Sequence, residues 1–173
     1  MVKYIYYDRR IVNATQVQFF HESRAKATNK EFDTNMPKDL QFDVDTVIHK
    51  IFIVPEDFVI ASTTPADSGL LDELETFLKT AIIEIQVGNG PVLYLPAAAA
   101  LSGIKSAGGV HYTQATAANA TLAIASISGP LDTAGLELGL TVPANTDFKF
   151  FIKQATAVNI GLVQVYLLAE RPG

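Results

Sequence analysis

Cysteine is absent from all 173 residues, so no disulfide framework and no thiolate metal site can form. That absence leaves the redox compartment open. Charge is also scarce. Charged side chains make up 18% of the chain, against about 25% in ordinary soluble domains, and the mean hydropathy is +0.22. The scarcity is greatest between Glu84 and Asp147, where only Lys105, Asp132 and Glu137 are charged and Ala, Gly, Ser and Thr abound. Such a surface is hard to leave in water over a large area and is expected to end up against other protein. Basic residues are outnumbered, giving a net charge of −5, so a nucleic-acid footprint is not expected. Long apolar runs are missing too. A spanning helix takes about 20 apolar residues. The stretch from Ala81 to Leu101 is broken by Glu84, Gln86, Gly88-Asn89-Gly90 and two prolines, and that from Ala155 to Ala169 by Asn159, Gly161 and Gln164. Residues Met1 to Arg10 do not read as a secretory signal.

The residue types that carry chemistry do not assemble in the sequence. His21, His49 and His111 are far apart and form no HxH or HxxxH pair. No GxSxG elbow occurs, and Ser126 and Ser128 read as small packing residues in an Ala-rich strand. Gly88-Asn89-Gly90 and Gly108-Gly109 lack the lysine and the strand-to-helix context of a phosphate loop and read as turns. Asp67, Asp72, Glu73 and Glu75 read as a solvated helix face near a positive dipole end. Asp43 and Asp45 lack the spacing of a calcium loop. Asn13-Ala14-Thr15 and Asn119-Ala120-Thr121 match glycosylation acceptors by chance. The expectation is a non-enzymatic protein without metal or cofactor.

Strand patterning dominates what is present. Leu136, Leu138, Leu140 and Val142 alternate with more polar or smaller residues, and Phe148, Phe150 and Ile152 alternate with Asp147, Lys149 and Phe151. Period two places each set on one face, and Pro143-Ala144-Asn145-Thr146 joins them with turn chemistry. Further strands are read at Val2 to Tyr7, Gln16 to Phe19, Asp45 to Val54, Ile83 to Val87, Val92 to Leu95 and Thr121 to Ile127. Val158 to Leu168 is nearly continuously apolar, which fits a central strand covered on both faces. One helix is predicted over 69–80, from the stripe Leu70, Leu71, Leu74, Phe77 and Leu78. Pro96 to Leu101 reads as a short second helix with Pro96 first, or as extended chain. Asn29 to Asp43 reads as a polar loop. About eight strands without strand–helix alternation exclude a doubly wound sheet. They point to an all-β, antiparallel single jelly roll spanning residues 1–173 as one domain.

The N-terminus concentrates Tyr4, Tyr6 and Tyr7 with Arg9 and Arg10. A platform for stacking bases or sugars is one reading. An aromatic arm that packs on a sheet edge is the preferred one, making these five residues a candidate subunit interface. Residues 1–10 are then either an arm exchanged with a neighbouring subunit or an edge strand of their own barrel. On the arm reading, deleting them weakens association and leaves the barrel folded.

The segments Val54-Pro55-Glu56-Asp57-Phe58, Gly88-Asn89-Gly90-Pro91 with Val92-Leu93-Tyr94-Leu95, and Leu140-Thr141-Val142-Pro143-Ala144-Asn145-Thr146-Asp147-Phe148 carry a resemblance that extends over most of the chain. In size and order of strands the chain resembles the single-jelly-roll major capsid proteins of icosahedral viruses. Among these it is similar to the smaller of two major capsid proteins in tailless, membrane-containing, sphaerolipovirus-like phages of thermophilic bacteria. The resemblance implies an upright jelly roll in the virion capsid, made in the host cytoplasm. It also implies co-assembly with a larger capsid protein of similar fold over an internal membrane, where a membrane-associated virion protein is a further partner. The low charge departs from the thermophile trend toward more charge, so stability is expected from lattice packing instead. Low charge and high apolar content predict a homo-oligomer, with a dimer expected. Two other classes stay open: a jelly-roll carbohydrate-binding module using Tyr94, Tyr112 or Tyr166, and a cupin-type enzyme, against which the scattered histidines argue.

Overall fold

A computed structural model describes residues 1–26, 33–55, 73, 76–100 and 135–173. Among them lie nine strands: β1 (Val2–Val12), β2 (Gln16–Phe19), β3 (Asp33–Thr34), β4 (Thr46–Pro55), β5 (Ile82–Val87), β6 (Leu93–Pro96), β7 (Leu136–Val142), β8 (Phe148–Lys153) and β9 (Gly161–Arg171). They form two antiparallel sheets that face each other. One has the order β3-β1-β9-β4-β7 and the other β2-β8-β5-β6. The protein is therefore an all-β sandwich.

The pairing is nested. Leaving aside the two-residue β3, the first strand pairs with the last (β1 with β9), the second with the next to last (β2 with β8), and so inward through β4 with β7 to β5 with β6. The β5–β6 hairpin closes through Gly88-Asn89-Gly90, where Gly88 has φ +53° and the N–H of Gly90 donates to the carbonyl of Val87 at 2.9 Å. Glycine takes that backbone angle without a Cβ clash.

Alternation along each strand builds the core. Ile83 and Ile85, Phe148, Phe150 and Ile152, and Val163, Val165, Leu167 and Ala169 all point inward and are buried. The centre is aromatic. Phe20 lies 5.7 Å from Phe150 and 6.1 Å from Phe148, ring to ring, and Phe42 bridges Phe148 at 5.3 Å and Tyr6 at 4.6 Å. Offset and edge-on contacts of this kind add to the area that each ring buries.

Several expectations meet the structure closely. Residues 76–80, inside the predicted helix, are helical, with Phe77 fully buried. The second helix is Ala97–Ala100, but Pro96 is the last residue of β6 instead of the first of the helix. Among the described residues β6 is the end strand of its sheet, a position that tolerates the missing N–H of proline. The polar stretch from Asn29 to Asp43 carries β3, which pairs with β1 at Asp8 and Arg9. The expected strand from Thr121 to Ile127 lies outside the described residues.

The structure takes one side of an open alternative and corrects one expectation. The segment Val2 to Tyr7 is the start of an eleven-residue strand that pairs with β9 along its whole length, from Val2 opposite Arg171 to Val12 opposite Gly161. β3 pairs with its other side only at Asp8 and Arg9, so Val2 to Tyr7 lies at the margin of its own sheet, as the edge-strand alternative expects. The apolar run at Val158 to Leu168 becomes β9, central between β1 and β4, but with only one face in the core. Leu162, Gln164, Tyr166 and Leu168 turn outward and stay partly exposed.

Candidate functional site

Strand alternation sorts the N-terminal residues singled out in the sequence. Tyr4, Tyr6, Asp8 and Arg10 share the inner face, while Ile5, Tyr7 and Arg9 share the outer one. Tyr6 is 1% exposed and belongs to the core, so its place in a subunit interface is corrected. Tyr4 packs against that core, with the Arg171 guanidinium 4.1 Å from its ring centre. The five residues are thus not brought together in one patch.

The inner members form a buried polar cluster. The Asp8 carboxylate has no solvent exposure and accepts the N–H groups of Phe20 and of Arg9, the latter at 2.9 Å, and Nε of Arg10 at 3.3 Å. Arg10 Nη1 donates to Glu22 Oε2 at 3.0 Å, and His21 Nε2 lies 3.6 Å from that oxygen. Phe20 holds a positive φ of 57°, an unusual angle for a residue with a large side chain. Its amide is held by Asp8 while its ring fills the core. The cluster therefore ties the middle of β1 to the corner that follows β2. No motif in the sequence announces it, since Asp8 is simply one residue in a strand. Its signal is an acid and an arginine two residues apart, Asp8 and Arg10, on the inward side of a strand that otherwise carries Tyr4, Tyr6 and Val12 there.

Burial pushes the Asp8 carboxyl up to about 6, even though Arg10 and the two backbone amides pull the other way. Between that value and the ordinary 3.8, Asp8 is protonated in the fold and ionised in the unfolded chain. The folded state then binds more protons, so its stability rises as pH falls through this window and is lowest above it. At 1.36 kcal/mol per pKa unit the full swing is at most about 3 kcal/mol. Burial holds the neighbouring His21 below its ordinary value, and that group acts in the opposite sense. Urea unfolding at pH 4.5 and pH 7 for the wild type and for Asp8→Asn isolates the contribution of Asp8. The wild type is expected to gain stability on acidification relative to the variant. Equal pH dependence in both would show that Asp8 is not the group responsible.

The outer members belong to a different surface. Across β1, β9 and β4 the register sets Ile5 beside Leu168 and Lys50, Tyr7 beside Tyr166 and Phe52, and Arg9 beside Gln164 and Val54. The rings of Tyr7 and Tyr166 are 6.5 Å apart. Ile5 is 54% exposed. Phe52 lies closely under Gly135, where a Cβ would come within 2.7 Å of its ring. Polar pairs stand at one margin, an ion pair of Lys50 with Glu137 at 3.3 Å and a contact of His49 Nε2 with Glu170 Oε2 at 3.3 Å. His49 sits where the register shifts between Ile48 and Lys50. This bulge re-aims its side chain toward Glu170, beside an open recess of about 460 Å³ lined by His49, Lys50, Glu137, Leu138 and Gly139. An apolar, aromatic centre with a charged margin is the composition of a protein–protein contact.

Among the described residues, no three His, Asp or Glu side chains converge as a metal site. Asp45 accepts the N–H of Ala144 at 2.8 Å and so fastens a loop. His111, Ser126, Ser128, Tyr112, Gly108-Gly109 and the acids Asp67, Asp72 and Glu75 lie outside the described residues, as does most of the weakly charged stretch after Glu84. No protein-family model, no curated protein and no solved structure matches this chain.

Proposed function

We propose that the chain is a structural capsid subunit. In this reading it self-associates, with a dimer as the smallest unit, and co-assembles with a second, larger capsid protein into an icosahedral shell over an internal membrane. A membrane-associated virion protein is its partner on the membrane side.

The observation that carries the reading is the second apolar face. β9 is apolar on both sides, yet only Val163, Val165, Leu167 and Ala169 reach the core. On the other side Leu162, Tyr166 and Leu168 are only partly buried and lie beside the exposed Ile5 and the partly buried Tyr7, while Phe52 next to them is buried. A sandwich strand that needed only its own core would carry polar residues there. The nested pairing of eight strands also fits a jelly roll, an architecture widely used for shells. The low charged fraction of the chain agrees with extensive contact between subunits.

Sedimentation velocity at micromolar concentration tests the reading. The wild type is expected to run as a dimer or larger, since a stable interface buries upward of about 1,200 Å². Ile5→Lys combined with Leu168→Lys is expected to weaken association tenfold or more, because about 1.4 kcal/mol per decade is readily lost when a charge enters an apolar contact. A wild-type monomer, or a variant that associates as tightly as the wild type, would overturn it.

A further inference from the structure

The four-stranded sheet also has an outer face, and its chemistry differs from that of the five-stranded one. Register places Gln18, Phe151, Glu84 and Tyr94 in a single row across all four strands, from β2 through β8 and β5 to β6. Each of these positions points away from the core, because its neighbours Phe19, Phe150, Ile83, Ile85, Leu93 and Leu95 point into it. The row therefore sets two aromatic rings on either side of a carboxylate, with an amide at its end. Lys153, one step along β8, donates to the Glu84 carboxylate and lies 5.7 Å from the Phe151 ring centre. Gln86, the next outward position on β5, adds a second amide, which donates to the carbonyl of Gly90 at 3.1 Å.

We infer that this row is a binding site for a neutral, extended oligosaccharide. Three features carry the inference. First, Tyr94 is 60% exposed, so its ring is open to a ligand. A pyranose presents an apolar face that covers such a ring. Second, Phe151 and Tyr94 stand two strand spacings apart, which is roughly 10 Å. A chain of sugars laid across the strands can then place one ring on each aromatic and a third over Glu84 between them. Third, the groups between and beside the rings are a carboxylate, an ammonium and two amides. Each can bond to vicinal hydroxyls as donor or acceptor.

The charge pattern selects the ligand class. A single-stranded nucleic acid would also stack on two rings. Its phosphates, however, would find no unpaired cation in the row, where Lys153 is already paired with Glu84, in a chain of net charge −5. A neutral glycan needs none. The site is on the sheet opposite the proposed assembly surface, so a shell subunit could engage a cell-surface glycan while packed through its other face. It stands independently of that assembly reading.

The test is isothermal titration calorimetry of the full chain with three probes. These are a β-linked glucose hexasaccharide, a β-linked N-acetylglucosamine hexasaccharide, and a twelve-residue oligothymidylate. At least one hexasaccharide is expected to bind, and oligothymidylate is not. Tyr94→Ala removes an exposed ring without opening the core and is expected to weaken binding at least tenfold. Glu84→Gln, which keeps the shape, is expected to weaken it several-fold. Circular dichroism melts of both variants verify that the fold is kept. Binding of neither hexasaccharide, binding of oligothymidylate in their place, or glycan binding unchanged in both variants would each overturn the inference. Sedimentation of the same samples reads the assembly state separately.

Discussion

Deleting residues 1–10 is expected to abolish cooperative folding of the chain. The segment supplies most of β1, and with it go the hydrogen bonds to β9 along the edge from Val2 to Arg10. Tyr6 leaves the ring of Phe42 without its neighbour at 4.6 Å, and Asp8 no longer holds the amide of Phe20. The freed edge of β9 is long and apolar, a template for aggregation. The measurement is a urea or thermal melt of the truncated chain followed by circular dichroism. No sigmoidal transition is expected, or one displaced to far lower denaturant. This reverses the outcome expected of an exchangeable arm, for which the barrel would stay folded. A truncated protein that melts like the full chain would restore the arm.

Two substitutions in the same strand separate its two roles. Tyr6→Ala strikes the inner face, while Ile5→Lys strikes the exposed one. The first is expected to destabilise the fold by about 3–5 kcal/mol, the range for truncating a buried aromatic. The second leaves the melt nearly unchanged and acts only on association.

Phe150→Ala is the second large effect. Phe150 is fully buried in β8, with ring neighbours Phe20 at 5.7 Å, Phe19 at 6.1 Å and Phe148 at 6.3 Å. Removing it leaves a cavity among rings that cannot close over it, since both sheets hold their backbones in register. The expected cost is about 3–5 kcal/mol, a large share of the 5–15 kcal/mol that typically holds a domain together. The neighbouring Phe151→Ala is expected to cost about 1 kcal/mol or less, in the range of a cross-strand surface pair. The contrast checks the alternation directly. Equal losses at both positions would mean that the outward face of β8 is as buried as the inward one. Denaturant midpoints of the two variants, at unchanged m-values, give the comparison.

Period-two alternation was readable wherever one face differed from the other. Leu136 to Val142 and Phe148 to Lys153 could be placed, with their inward residues, from the sequence alone, because a strand half in the core writes that difference into alternate positions. The turn at Gly88-Asn89-Gly90 was equally plain, since its backbone angle requires glycine. The all-β class followed from these local signals.

What joins distant strands was not readable. Nothing local in Val2 to Val12 says that it runs beside Gly161 to Arg171, because a hydrogen-bond ladder uses backbone groups that every residue carries. The chain end therefore read equally well as an arm or as a strand, and the tertiary pairing with β9 decided it. The same holds for both surfaces proposed as functional. Tyr94, Glu84, Phe151 and Gln18 are spread over the chain and form a row only through the register of four strands. The apolar run of β9 revealed two apolar faces, and local sequence could not say whether the second would meet a layer of this chain or the solvent. Composition and periodicity determined the all-β class and carried the expectation of apolar surface beyond one core. The tertiary structure decided which residues share a face across strands, because side-chain direction is local while strand neighbours are set by the fold as a whole.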